Sequence, residues 1–184
     1  GFPTHPHREM EIITVVLEGE ITHEDSMGNR GVVKAGEVQR MSAGTGLTHS
    51  EFNLGDEPLS LYQIWIFPDR SELEPSYDQK TFDPAQWEHC LLPVASGQGM
   101  PGTVTFHTDA TIYRAALTAG TEVVSEKTAG RRLFAYVTTG RLHVNGTELG
   151  AADQARADVD EPLRWKAIED SEFIVIDVPS CKGL

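Results

Sequence analysis

Cysteine is scarce in this sequence: two in 184 residues, Cys90 and Cys181. Two cysteines do not make the disulfide framework of a small secreted domain. A reducing, cytoplasmic setting is therefore expected, with Cys90 a small buried hydrophobe. Long apolar runs are also lacking. None approaches the ~20 residues of a membrane span, and the opening GFPTHPHREM carries no apolar signal segment, so no membrane partner is expected. Positive charge is short: 15 Lys and Arg stand against 28 Asp and Glu, a formal net charge of −13. The one basic doublet is Arg131-Arg132. Nucleic acid is held by Lys and Arg neutralising phosphates, so direct binding to it is not expected. No segment sustains a 3.6-residue period, and no glycine fingerprint stands between a strand and a helix to mark a nucleotide site.

What remains is the grammar of β-structure. Short apolar or alternating runs recur: EIITVVLE, GVVKA, EVQRMSA, LTHSEF, LSLYQIWIF, HCLLPVAS, VTFHTDATIYRAAL, RLFAYVTTG, LHVNG and EFIVIDVP. Gly, Asn, Asp or Pro separates most of them, which predicts a sandwich or barrel. One helical turn is expected at FDPAQWEH, with Asp83 as its cap and Pro84 in first position. Residues 68–86 otherwise read as a connecting excursion. A weak repeat links TVVLEGEITHEDSMGNRGVVKAGEVQRMSAG to FAYVTTGRLHVNGTELGAADQARAD, with Gly140 standing where Gly19 stands. DSEFIVIDVP likewise echoes PLSLYQIWIFP. The chain is thus expected to be all-β, two related barrels in tandem. The boundary falls near GQGMPG at 97–102, giving domains 1–96 and 97–184.

Histidines and carboxylates are spaced two apart, twice. His5 and His7 sit in HPHREME, and His49 and Glu51 in THSEF. Residues i and i+2 of a strand share a face. If the two strands are neighbours inside a barrel, three nitrogens and one oxygen converge. That donor set suits Fe, Mn, Co, Ni, Cu or Zn, and suits Ca or Mg poorly. A single His-x-His is more often incidental; two such pairs flanking a Gly-rich turn favour a metal site. Pro6 removes an amide donor and places its segment at a rim or edge. Gly44 and Gly46 would let backbone approach closely. By parity Gln39, Met41 and Trp65 point inward, as core residues or as pocket lining.

The stretch GFPTHPHREMEIITVVLEGEITHEDSMGNRGVVKAGEVQRMSAGTGLTHSEFN, continued by LYQIWIFPDRSELEPSYDQKTF, resembles the pirin family of bicupins. The resemblance covers the whole chain and is strongest over 1–83. It looks most like the bacterial branch, some of whose members are quercetin dioxygenases. It implies tandem cupin barrels, with metal ligands carried onto His5, His7, His49 and Glu51. In the family several dozen residues precede GFPTHPH and close the first barrel, so that barrel is expected here to lack its N-terminal strands. Glu9 and Met10 stand where many relatives have Gly and an aromatic residue, which alters the pocket mouth. On a continuous strand Glu11 would share the face of His5 and His7, as a supporting or substitute ligand or as a rim carboxylate. His23, His89, His107 and His143 read as structural. The second barrel, with Arg131, Arg132 and Leu133 where ligands would fall, is expected to be metal-free.

The activity implied by the resemblance is opening of a flavonol such as quercetin by dioxygen at one transition metal, iron foremost. Glu51 would take the 3-hydroxyl proton as general base, and carbon monoxide would depart. The same ligands would equally serve a non-enzymatic redox sensor that partners transcription regulators, or a metal-stabilised domain with another substrate. An open, ring-sized cavity at the metal would favour the enzyme.

Overall fold

The computed structural model describes residues 1–126, 129–158 and 161–180. Cys181 lies outside them. The chain divides into two compact units, and not by a single cut. Unit 1 comprises Gly1–Phe82 and Ala95–Thr108; unit 2 comprises Asp83–Val94 and Asp109–Leu184. The expected boundary at 97–102 thus falls inside a segment belonging to unit 1.

Unit 1 contains β1 (Phe2–His7), β2 (Glu11–Glu18), β3 (Glu20–Asp25), β4 (Arg30–Lys34), β5 (Glu37–Ser42), β6 (Leu47–Phe52), β7 (Ser60–Ile66) and β8 (Ser76–Thr81). They make two four-stranded antiparallel sheets, ordered β1-β6-β3-β4 and β7-β2-β5-β8. The alternation of β6, with Leu47, His49 and Glu51 buried and Thr48 and Phe52 exposed, is the period-2 pattern of a strand with one face inward. Ile12, Met41, Ala43 and Leu47 form one apolar cluster, and Val16, Ile21 and Val33 another. β9 (Leu92–Ser96) crosses the division, and its Ala95 and Ser96 pair in parallel with β10 (Val104–Thr105).

Unit 2 repeats the plan with β11 (Thr111–Leu117), β12 (Glu122–Ser125), β13 (Arg131–Thr139), β14 (Arg141–Val144), β15 (Thr147–Gly150), β16 (Gln154–Asp158), β17 (Leu163–Ala167) and β18 (Ser171–Pro179). One sheet runs β12-β17-β14-β15, and the other contains β11-β18-β13-β16 in that order. Its core includes an apolar cluster with Leu133, Val137, Leu142, Trp165 and Phe173, with Trp165 stacked on Phe173. In unit 2 β11 lies beside β18; among the described residues of unit 1 no strand lies beyond β7, the counterpart of β18.

The expected helical turn is present as a 3-10 helix, Pro84–Trp87, capped reciprocally by Asp83 and Gln86. Residues 68–86 are not only an excursion: β8 lies within them and pairs with β5 from Glu37↔Thr81 to Ser42↔Ser76. The side chains β8 turns inward are Tyr77 and Gln79, so it carries no apolar alternation. Cys90 is only partly buried, and its thiol donates to the Gln86 carbonyl at 2.9 Å. The described residues contain no helix long and apolar enough to cross a membrane.

Candidate metal centre

β1 and β6 are neighbours with His5 opposite His49, and β6 and β3 are neighbours with Glu51 opposite His23 and His49 opposite Asp25. Register alone therefore gathers the two His/Glu pairs on one inner face. Among the described residues two groups of side chains able to hold a metal result, both in unit 1. In one, His5, His7 and His49 bring ligand atoms within 4.8 Å of one another; in the other, His23, His49 and Glu51 do so. Glu51 thus reaches the three-histidine cluster through His49.

The first group has the chemistry of a cation site. His5 Nδ1 donates to the Pro3 carbonyl at 2.8 Å, which leaves its Nε2 as a bare lone pair. That Nε2 lies 3.0 Å from His49 Nε2, roughly the separation of two nitrogens at right angles about an ion ~2.1 Å away. His7 Nε2 is buried and has no hydrogen-bond partner, a cost that a ligated ion removes. Burial, then the neighbouring His5, pushes the His7 pKa down against the pull of Glu51. Burial likewise takes His49 down to about 4. Both rings are consequently neutral near pH 7, the form that binds metal.

Glu51 is 1% exposed. Its Oε1 accepts from Gln39 Nε2 at 2.9 Å, and its Oε2 from Gln63 Nε2 at 2.8 Å. Burial would raise its pKa, but His23, Gln39 and Gln63, with His49, hold it down to about 2. Gln39 and Gln63 flank Thr14 in register across β5, β2 and β7, so one rung of the second sheet faces the carboxylate. Gln39 therefore lies at the site as parity indicated. Met41, one rung on, is in the apolar cluster with Ile12 and Leu47. Trp65 is not interior: it is 54% exposed, its ring meets His7 edge-on at 4.9 Å, and its Nε1 donates to Gln63 Oε1. An open groove of about 570 Å³ borders the cluster at His7, lined also by Pro6, Arg8, Ser26, Gly46 and Leu47.

Glu11 is not brought to the cluster. It accepts from Ser42 Oγ at 2.7 Å and lies 3.2 Å from His107 Nδ1, on the opposite face of β2 from Thr14. Continuity of parity from His7 fails because the chain leaves one sheet for the other at Arg8–Met10, with Glu9 at φ 51°. That left-handed conformation is one that glycine adopts without the cost it carries for Glu. Gly44 does accommodate a close approach, but of the Leu73 backbone rather than of the site. His107 is the partner of Glu11. His89 has φ 56° and lies outside the strands, and His143 is on β14 beside Glu148.

His23 was missed. It is fully buried, stacked on Tyr77 at 4.7 Å, with Nε2 3.2 Å from Asp25 Oδ2 and Nδ1 3.7 Å from Glu51 Oε1. Its signal was the same spacing: His23 and Asp25 are a third pair two apart. Arg131–Leu133, expected at the ligand positions of the second barrel, lie on β13, whose pairing with β16 and β18 makes it the counterpart of β2 and not of β1.

Residues 1–66 match the family described as Pirin, and residues 93–178 match the Quercetinase C-terminal cupin domain. Among curated proteins, the chain is 41% identical over 180 residues to a quercetin 2,3-dioxygenase of Escherichia coli, covering 97% of this chain and 77% of the relative. It is 38% identical over 178 residues to a pirin-like protein of Caulobacter vibrioides, with 96% and 77% covered. Among solved structures it is similar to the bacterial pirin YhhW of E. coli in complex with nickel(II), with a TM-score of 0.90 and 39% identity over 97% of this chain and 76% of that one. Both halves of the sequence and the whole of the fold carry the same likeness, and the chain belongs to the pirin family.

Proposed function

We propose that this chain is a metal-dependent dioxygenase that opens a flavonol such as quercetin. It would hold one transition-metal ion, iron foremost, on His5, His7, His49 and Glu51, and leave unit 2 metal-free. Flavonol and dioxygen are consumed, and a ring-opened ester and carbon monoxide leave. The observation that carries the reading is the His5–His7–His49 cluster, with the bare Nε2 of His5 and the unpartnered Nε2 of His7. The E. coli relative named a quercetin 2,3-dioxygenase supports the substrate class, and the nickel complex of YhhW supports a divalent ion.

When bound, the ion supplies a Lewis acid that acidifies a substrate hydroxyl and couples it electronically to dioxygen. The chain's own residues do the rest. Glu51 receives the hydroxyl proton at a carboxylate oxygen. Each of its oxygens accepts one amide hydrogen, from Gln39 and from Gln63, and keeps a further lone pair for that proton. Trp65 is exposed and edge-on to His7, and offers an aromatic wall to a flat substrate. Its link through Gln63 to Glu51 ties substrate seating to the carboxylate.

The test is oxygen uptake and carbon monoxide release with quercetin by chain loaded with Fe(II), against free metal at the same concentration, because flavonols chelate metals unaided. Glu51→Gln should retain most of the metal and lose at least ~100-fold in rate, the low end of general-base contributions. A Gln variant nearly as active per bound metal removes Glu51 as the base. A wild-type chain no better than free metal removes the flavonol.

A further inference from the structure

We propose that unit 2 holds a binding site for a small organic cation, with Asp177 as the anchor of its ammonium group and Leu91, Leu133 and Val175 as the seat of its apolar body. The site is separate from the metal centre and does not depend on the flavonol reading.

A cavity of about 230 Å³ is lined wholly by residues of unit 2. Its apolar wall is continuous with the core: Leu133 and Val175 belong to the core cluster, and Leu91 and Tyr113 pack against it. Strand periodicity sets two charged groups beside that wall. Arg131 shares a face of β13 with Leu133, and Asp177 shares a face of β18 with Val175. Register fixes which end of the barrel this is. With Gly140 set against Gly19, Asp177 opposite Leu133 stands where Trp65 stands opposite Ile12. The cavity therefore lies at the end of unit 2 that corresponds to the metal end of unit 1.

Charge decides the class of ligand. Among the described residues Arg131 is the one positively charged side chain on the wall, and it is already engaged. Its Nε donates to Asp177 Oδ1 at 2.8 Å, its Nη1 to Asp109 Oδ1 at 2.8 Å and its Nη2 to the Asp109 carbonyl at 3.3 Å. Glu126 adds a further carboxylate to the wall. An anion would have to displace an aspartate from Arg131 and would face the carboxylates that remain. A cation finds an acceptor: among the described residues Asp177 Oδ2 accepts no hydrogen bond. Burial, with Asp109 beside it, outweighs the pull of Arg131 and holds the Asp177 pKa above its ordinary value. That carboxylate is short of positive charge, and a ligand ammonium supplies it. A metal ion fits less well, because among the described residues groups of three ligating side chains form only in unit 1. The volume falls below the ~300–1,000 Å³ of drug-sized ligands, so the occupant has one ring or a short chain. Tyr113, opposite Val175, adds an aromatic ring to the wall, a surface that suits a cation.

The probe is benzylamine, one ring with one ammonium. Benzyl alcohol and benzoate keep the ring and change the charge. Binding to the full chain is followed by amide chemical shifts near pH 7, with Zn(II) present so that the histidine cluster of unit 1 is occupied. Benzylamine should bind with a Kd on the order of 1 mM, usual for so small a ligand, and move the resonances of Tyr113, Leu133, Val175 and Asp177. Benzyl alcohol should bind at least ~10-fold more weakly, because it lacks the charged hydrogen bond, and benzoate should not bind measurably. Asp177→Asn should weaken benzylamine by at least ~10-fold for the same reason. Should that variant fail to fold, Leu91→Trp fills the cavity, leaves the carboxylate in place and should weaken benzylamine by a similar factor. Any of four results overturns the inference: no saturable binding of benzylamine, shifts confined to unit 1, benzoate bound as tightly as benzylamine, or a folded Asp177→Asn or Leu91→Trp variant that binds as well as wild type. None of these results bears on the metal centre of unit 1, which stands or falls by its own test.

Discussion

Units 1 and 2 are built on one frame and filled differently. In both, the first long strand of the second sheet carries a register irregularity before its hairpin, between Val16 and Glu18 in one and Val137 and Thr139 in the other. In both, the hairpin turns on a glycine with positive φ, 70° at Gly19 and 76° at Gly140. With those positions matched, the registers align residue by residue. Where unit 1 sets His5 opposite His49, unit 2 sets Ser125 opposite Leu163. Where unit 1 sets His23 opposite Glu51, unit 2 sets Val144 opposite Trp165. The rung Thr14, Gln39, Gln63 becomes Ala135, Ala155, Val175.

The difference teaches what the centre costs. Unit 2 fills the position of Glu51 with an indole stacked on Phe173, a burial worth ~4–6 kcal/mol at ~25 cal/mol/Å² over 150–250 Å². Unit 1 spends the same volume on imidazoles and a carboxylate, which gain nothing from burial unless every polar atom is partnered. Most of those atoms find partners in one another, and His7 Nε2 does not. On the proposed reading, the place of a bound ion in unit 1 is the part of this core that unit 2 fills with hydrocarbon.

The sharpest way to break the comparison is His49→Leu, which gives unit 1 the residue that unit 2 carries at that register. Nickel affinity should fall at least ~100-fold, beyond the range for losing a mere orienting partner, while the circular dichroism of the β-fold is retained. Undiminished binding would show that the cluster is not the site. A smaller effect tests the frame. A Cβ on Gly19 would lie 2.3 Å from the Pro58 carbonyl oxygen, and one on Gly140 2.1 Å from that of Asp170. Alanine at either position should cost more than ~2 kcal/mol, from the left-handed backbone and the collision together, read as a fall in Tm or denaturation midpoint. A large loss at one glycine and none at the other would separate the units.

The smallest effect is in pH. His49 takes its proton near 4 in the fold, against an ordinary 6.5, so the unfolded chain binds it first. Stability of the metal-free protein should therefore fall as pH drops from about 6.5 to about 4. Glu51 is depressed from 4.5 to about 2, so its contribution is complete above about pH 4.5 and fades below. The metal-free Tm should begin to fall between pH 6.5 and 5, and this upper limb should vanish in His49→Leu. Unit 2, with hydrocarbon at the matching positions, supplies no such limb.

Much of this was legible in the sequence because strand periodicity is local. Spacing of two placed His5 with His7 and His49 with Glu51 on single faces, and Gly19 and Gly140 announced the repeat. What was not legible depends on which strands are neighbours. His23-x-Asp25 has the same spacing, yet only the pairing of β3 with β6 sets it against Glu51. Glu11 was misplaced because parity was carried through Glu9, where the backbone turns left-handed and the count restarts. β8 was hidden because its inward residues, Tyr77 and Gln79, serve a polar interior and so lack hydrophobic alternation.

The interruption of unit 1 by residues 83–94 has a consequence in time. During synthesis Glu11 emerges well before the His107 that it bonds across 96 positions, and a stretch belonging to the other unit comes between them. At ~5–20 residues per second the ribosome leaves that carboxylate waiting several seconds for its partner. Unit 1 therefore has all of its residues only once Ala95–Thr108 has followed a segment of the other unit, so its completion is set by the chain's path.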